Sequence, residues 1–245
     1  MSSGFRLFGP VHLAILAAIP VTAFALARAG RGRAERSRFI ACLLGISLAG
    51  NEIIWYVWRL RMEGFRFPEG LPLELCDLTL WLTAASALLY GRQAGLTLRP
   101  AMFEFAWLAG LGGSAMAMLT PDLWAAPLSY PTIYFFLAHG GVIATLLFLV
   151  WSGLARPRPG CVWRTFGLLN TYAALIGIFD AFFHTNYMYL CRKPANASLL
   201  DFFGPWPVYL LGGEATALLI FWILWTPFRR SRAPAVLRGS PQDFA

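Results

Sequence analysis

Residues 131–153 read PTIYFFLAHGGVIATLLFLVWSG, 23 residues without one Asp, Glu, Lys or Arg and with a single histidine, His139. At 1.5 Å per helical residue such a run reaches ~35 Å, enough to cross a hydrocarbon layer ~30 Å thick. The stretch predicts a membrane-spanning helix. Working outward, six further runs satisfy the same length and polarity test, at about 10–29, 39–60, 73–90, 101–119, 164–186 and 206–227. The chain is 58% apolar and only 13% charged, with a mean hydropathy of +0.59. That composition excludes an ordinary soluble domain. The expected fold class is all-α, a polytopic bundle of seven transmembrane helices over residues 1–228. A flexible basic cytoplasmic tail is expected over 229–245.

The net charge of +8 comes from arginines beside span ends, without a continuous basic face, so no nucleic-acid partner is expected. Their positions set the topology instead. Arg28, Arg31, Arg33, Arg36 and Arg38 separate the first two runs, Arg92 and Arg99 the third and fourth, and Arg156, Arg158 and Arg164 the fifth and sixth. With four more after the last run, they share one side of a sevenfold crossing. The positive-inside rule then predicts the N-terminus out and the C-terminus in, with the bacterial cytoplasmic membrane as the expected location. The first run resembles a signal peptide, but its arginines follow rather than precede it, which favours a retained helix. Trp55, Tyr56, Trp58, Trp163, Trp206 and Tyr209 mark span ends as interfacial aromatics do. Glycines 110, 112, 113, 140 and 141 are expected to permit close helix packing.

Ionisable residues inside a span are costly and therefore informative. On this topology the outer half of the bundle collects Asn51 and Glu52 in the second span, Glu74, Cys76 and Asp77 opening the third, and His139 in the fifth. Asp180, His184 and Asn186 close the sixth span, and Glu214 lies in the seventh. A water-filled or headgroup-accessible cavity on that side would accommodate them. Glu104, near the inner end of span four, does not belong to the group, and His12 reads as interfacial. With Pro72 taken in the first turn of span three, Cys76 falls ~6 Å and His139 ~12 Å below the outer boundary.

Cys76 has three readings: a nucleophile near the positive end of a helix dipole, half of a disulfide with Cys191 in an outer loop, or a structural side chain. Glu74 and Asp77 oppose a thiolate, so activation needs a base, and His139 is the best placed. Asp180 and His184, four residues apart on a helix, share a face on which a proton can pass. No zinc motif accompanies them, and no metal or cofactor is expected. Phosphate-binding glycine loops and a serine nucleophile elbow are absent. Lys193, the only lysine, sits in a loop, which excludes a retinal Schiff base within a span. Asn196-Ala197-Ser198 is a glycosylation acceptor only in a secretory context.

Three stretches carry a resemblance: Leu71-Pro72-Leu73-Glu74-Leu75-Cys76, Phe136-Leu137-Ala138-His139-Gly140-Gly141, and Asn186-Tyr187-Met188-Tyr189-Leu190 continuing through Arg192-Lys193-Pro194, Ser198-Leu199-Leu200-Asp201 and Gly204-Pro205-Trp206-Pro207. Together they resemble the YwaF-like integral membrane family, to which the eukaryotic transmembrane protein 164 is related, over nearly all seven spans. The resemblance implies a lipid acyltransferase or hydrolase that works through a cysteine thioester, with membrane phospholipids or other acyl esters as partners. The more distant androgen-induced membrane hydrolases are similar in using a threonine and a histidine. Carried over, the resemblance makes Cys76 the nucleophile, His139 its base and Asn51 a supporting polar residue. Where bacterial relatives often have a histidine two residues before the cysteine, this chain has Glu74, so no proton shuttle is carried over to that position. The alternatives are a proton-coupled transporter or channel using Glu52, Asp180, His184 and Glu214, and an assembly protein without turnover.

Overall fold

The computed structural model describes residues 5–123, 125–194 and 199–229. It is built of seven long helices: α1 (Pro10–Gly30), α2 (Ala34–Glu63), α3 (Leu75–Gly91), α4 (Arg99–Leu119), α5 (Tyr130–Trp151), α6 (Cys161–Phe183) and α7 (Val208–Trp225). No strand occurs among the described residues. Six of these helices are long and apolar enough to cross a membrane, and α3 is a shorter apolar helix between them. The protein is an integral, multi-pass membrane protein, because only helices satisfy every backbone N–H and C=O within the segment when lipid offers no partner. The tail beyond Arg229 and the Asn196-Ala197-Ser198 acceptor lie outside the described residues.

Side-chain contacts fix the helix directions. Phe24 near the end of α1 meets Trp151 at the end of α5, Arg99 at the start of α4 covers the Tyr90 ring at the end of α3, and Arg156 before α6 donates to the Phe228 carbonyl after α7. These contacts gather at one end. At the other end, Tyr56 of α2 donates to Asp77 of α3, and the α6–α7 connection bonds the segment leading into α3. The helices therefore run alternately up and down, with the arginines of the connections at 31–33, 92–98 and 152–160 at one end and the polar residues singled out above at the other.

The α4 helix is the hub, with 67% of its apolar window buried against 11–39% for the other five long spans. It is not uniform: Ala106–Gly110 winds as a π-turn between two α-helical pieces. All five of these residues are buried. Within Ala106–Gly110 itself no proline or polar residue announces this turn. Beside it, Gly110 lies so close to α3 that a Cβ would stand 3.0 Å from Thr79 Cβ. Small residues do the same work between α2 and α3, where a Cβ on Gly45 would stand 2.8 Å from the Ala84 carbonyl oxygen. Close backbone approach of this kind supplies packing energy where lipid removes the hydrophobic drive between helices.

The boundaries of α2 and α3 differ from the expected ones in a way that matters. With 30 residues α2 extends for ~45 Å, past the run of 39–60, because Glu35 in its first turn and Arg61 in its last both continue the helix favourably. In contrast, α3 starts only at Leu75 and its 17 residues rise ~25 Å. Pro72 lies before the helix, not in its first turn. Since the long helix stands beside a short one, the bundle has a hollow at the end where α3 begins.

Candidate active site

The hollow is a cavity of about 700 Å³. Its walls come from the last turns of α2 (Trp55, Arg59), the first turns of α3 (Cys76, Asp77, Thr79), one face of α4 (Ala109, Gly113, Ser114, Ala117) and a stripe of α5 (Tyr134, Phe135, Ala138, His139, Val142). Arg59, Glu69 and Asp122 also line it, beside apolar residues such as Leu80, Ala109 and Val142.

Cys76 is the second residue of α3 and its side chain is exposed into this space. All four cysteines, Cys191 included, are free thiols. The helix start that carries Cys76 is closed by a capping box in which Asp77 Oδ2 accepts the Glu74 N–H at 3.1 Å while Glu74 serves the other way. The acidic neighbours of Cys76 are thus committed to the cap. Glu74 Oε2 also accepts the Met188 N–H at 3.0 Å, and Asp77 Oδ1 is 3.4 Å from the Tyr56 hydroxyl that donates to it. One turn further, Thr79 donates to the Cys76 carbonyl at 3.2 Å.

His139 is half-buried on α5, with Nδ1 2.9 Å from the Phe135 carbonyl oxygen. A carbonyl only accepts, so Nδ1 carries the proton and the neutral ring keeps its Nε2 lone pair free. That is the tautomer a base needs. No hydrogen bond joins Cys76 and His139, which line the same cavity from different helices.

The remaining predicted polar residues divide. Glu52, fully buried on α2, accepts the Tyr134 hydroxyl at 2.6 Å through Oε2, while its Oε1 has no partner. Asn51 is not among the lining residues, and its Nδ2 is buried without a partner. The i,i+4 pairing of Asp180 with His184 is not formed, because α6 ends at Phe183 and His184 turns into the left-handed region at φ 57°, exposed. Asp180 instead accepts the Thr185 hydroxyl and the Tyr187 N–H. Asn186, beyond the helix, accepts the N–H groups of Cys191 and Arg192 through Oδ1 and organises the loop. Glu214 bonds Asn170 between α6 and α7, away from the cavity. Glu104 and His12 are also structural: Glu104 is clamped by Arg158 and Arg164, and His12 is fully buried, its Nε2 2.8 Å from the Met118 carbonyl.

The stretch around Tyr187 carries part of the family resemblance, but its place at the rim of the cavity is not written in the sequence. Tyr187, Met188 and Tyr189 line the cavity from the α6–α7 connection, where Met188 and Tyr189 hold positive φ of 54° and 56°. The Tyr187 hydroxyl donates to the Pro68 and Leu71 carbonyls at 2.8 and 3.1 Å, tying this connection to the one before α3. Burial pushes the Tyr187 phenol above its ordinary value, so it stays a donor. The signal for the α5 wall was present in the sequence as the stripe at 131, 134, 135, 138, 139 and 142, a helical spacing that places Tyr134 with His139.

Among the described residues, no group of three or more His, Cys, Asp or Glu is placed to hold a metal ion. Compared with known proteins, residues 7–226 match the model of the TMEM164 family. No curated protein and no solved structure matches the chain.

Proposed function

The chain belongs to the TMEM164 family, and from that premise we propose that it is a thiol-dependent lipid acyltransferase or hydrolase in which Cys76 is the nucleophile and His139 its base. The observation that carries the reading is the shared cavity, with a free thiol at a helix start and a histidine whose Nδ1 bonds the Phe135 carbonyl. The proposed chemistry requires a water molecule or a side-chain rotation to bring the two within proton-transfer reach.

In the first half-reaction His139 Nε2 takes the Sγ proton as the sulfur forms a bond to the ester carbonyl carbon. The tetrahedral oxyanion is held by the Leu75 and Cys76 amides in the first turn of α3, the Asp77 N–H being taken by the Glu74 side chain. The ester C–O bond then breaks, the leaving alkoxide takes the proton from His139, and a thioester remains on Cys76. In the second half, a hydroxyl of a lysolipid or of water gives its proton to His139 and attacks the thioester. The C–S bond breaks, and the thiolate recovers the proton. The acyl chain lies along the apolar faces of α4 and α5 throughout. With the arginine-rich end in the cytoplasm, as the positive-inside rule directs, the cavity opens toward the outer leaflet of the cell membrane.

The test is lipid turnover by purified protein reconstituted in phospholipid vesicles with a labelled acyl donor. Transfer or release of the label by the wild type, absent in Cys76→Ala and His139→Ala, is the expected result. Equal turnover in the three proteins excludes the dyad.

A further inference from the structure

At the opposite end of the bundle lies a second cavity, of about 900 Å³, enclosed by the turn between α1 and α2 and the end of α5. Its walls include Arg28, Arg31, Arg33 and Arg38 but no carboxylate, with Phe24 and Trp151 as its aromatic side. We propose that this cavity binds the phosphate headgroup of an anionic phospholipid, separately from the chemistry at Cys76.

The other arginines at this end show what a satisfied guanidinium looks like here. Glu104 takes Arg158 at 2.7 Å and Arg164 at 3.0 Å, and Arg99 donates to the Ala94 carbonyl and covers Tyr90. The four cavity arginines have no ion pair among the described residues. Placing four like charges around one hollow costs repulsion unless an anion occupies it.

The turn that carries them is built rigidly. Arg31 N–H bonds the Arg28 carbonyl, Arg33 N–H bonds the Gly30 carbonyl, and the buried Ser37 hydroxyl also donates to Gly30 at 3.1 Å. A Cβ on Gly30 would stand 2.3 Å from Ser37 Oγ, so the end of α1 presses onto the first turn of α2 only because residue 30 is glycine. This fixes the backbone from which the arginines project and brings the N-terminus of the 30-residue α2, at Ala34, to the same hollow. The free amides there add to the anion field.

The apolar wall decides the source of the phosphate. Phe24 and Trp151 pack edge to face at 6.3 Å and remain 58% and 46% exposed. A free phosphate ion would fill a small part of the cavity and leave this wall unused. A phospholipid sets its phosphate among the arginines and its first acyl carbons along the two rings. Basic pockets between helices on the cytoplasmic side are suited to such headgroups.

The experiment uses the full chain in nanodiscs of phosphatidylcholine alone or with phosphatidylglycerol, reading lipid retention by native mass spectrometry after mild extraction and thermal unfolding in the disc. Wild type is expected to retain phosphatidylglycerol over phosphatidylcholine and to unfold at a higher temperature when it is present. Arg28→Gln/Arg33→Gln, whose side chains are exposed and hold no partner, should weaken retention roughly 30-fold while unfolding normally in phosphatidylcholine. Arg92→Gln, at the same end but outside the cavity, should retain the lipid. Should the double variant fail to fold, Arg31→Gln alone carries the same comparison at roughly fivefold. Equal retention of the two lipids, equal loss in Arg92→Gln, or unchanged retention in the cavity variants overturns the proposal. Protection by inorganic phosphate equal to that by phosphatidylglycerol would assign the site to a free anion instead.

Discussion

At the scale of single residues, the site is a thiol whose acidic neighbours have another occupation. Glu74 and Asp77 close the start of α3 with their side chains, and as charges beside Cys76 they still oppose a thiolate, so the thiol needs a base as it attacks. Glu74 is also a clamp between α3 and the Met188 amide. Glu74→Gln is expected to lower stability by about 1 kcal/mol, the ordinary worth of a helix cap, and to slow turnover by displacing Cys76. Thermal unfolding in detergent and a vesicle turnover assay check the two halves. His139→Gln, which preserves size but removes the base, should lower turnover by about 10²–10⁴-fold without changing the unfolding temperature. Measuring both on one preparation separates chemistry from folding.

The elements show why the site was partly legible. Helix positions followed from apolar runs, and the α5 stripe from the spacing around His139, because burial in lipid writes itself directly into composition. The hollow did not, since it depends on where α3 starts, and a capping box in an apolar run shifts that start past Pro72 without altering hydropathy. The π-turn in α4 is equally silent, yet π-turns recur at functional sites, and α4 lines the cavity on both sides of this one's end with Ala109, Gly113 and Ala117. Asp180 and His184 were misaligned because the i,i+4 rule holds only while the helix continues, and α6 ends at Phe183. Gly113 offers an element-level test: a Cβ there meets nothing within 4 Å. Gly113→Leu should fold normally and narrow the acyl space, so that KM for long-chain donors rises several-fold while short-chain donors are spared. An equal effect at all chain lengths would place the acyl chain elsewhere.

Across the whole molecule, the two ends have different tasks. One end concentrates guanidiniums and holds itself together through Glu104, a buried carboxylate shared by Arg158 and Arg164. Glu104→Ala leaves two cations without their partner and should cost about 2 kcal/mol, the scale of hydrogen bonds to charged groups, read as a lower unfolding temperature with the outer cavity intact. The other end encloses the free thiol and the histidine. This separation predicts that a membrane-impermeant maleimide added outside intact cells labels Cys191, whereas the cysteine of an Arg33→Cys variant stays unlabelled until the membrane is opened. The central claim is that the outer cavity carries covalent acyl chemistry, and intact-protein mass spectrometry after incubation with a phospholipid of defined chains tests it most directly. The account predicts a mass increase of one acyl group, removed by hydroxylamine, mapped to Cys76 and lost in Cys76→Ala. A wild-type protein that remains unacylated under turnover conditions, or one in which Cys76 is held in a disulfide with Cys191, would contradict it.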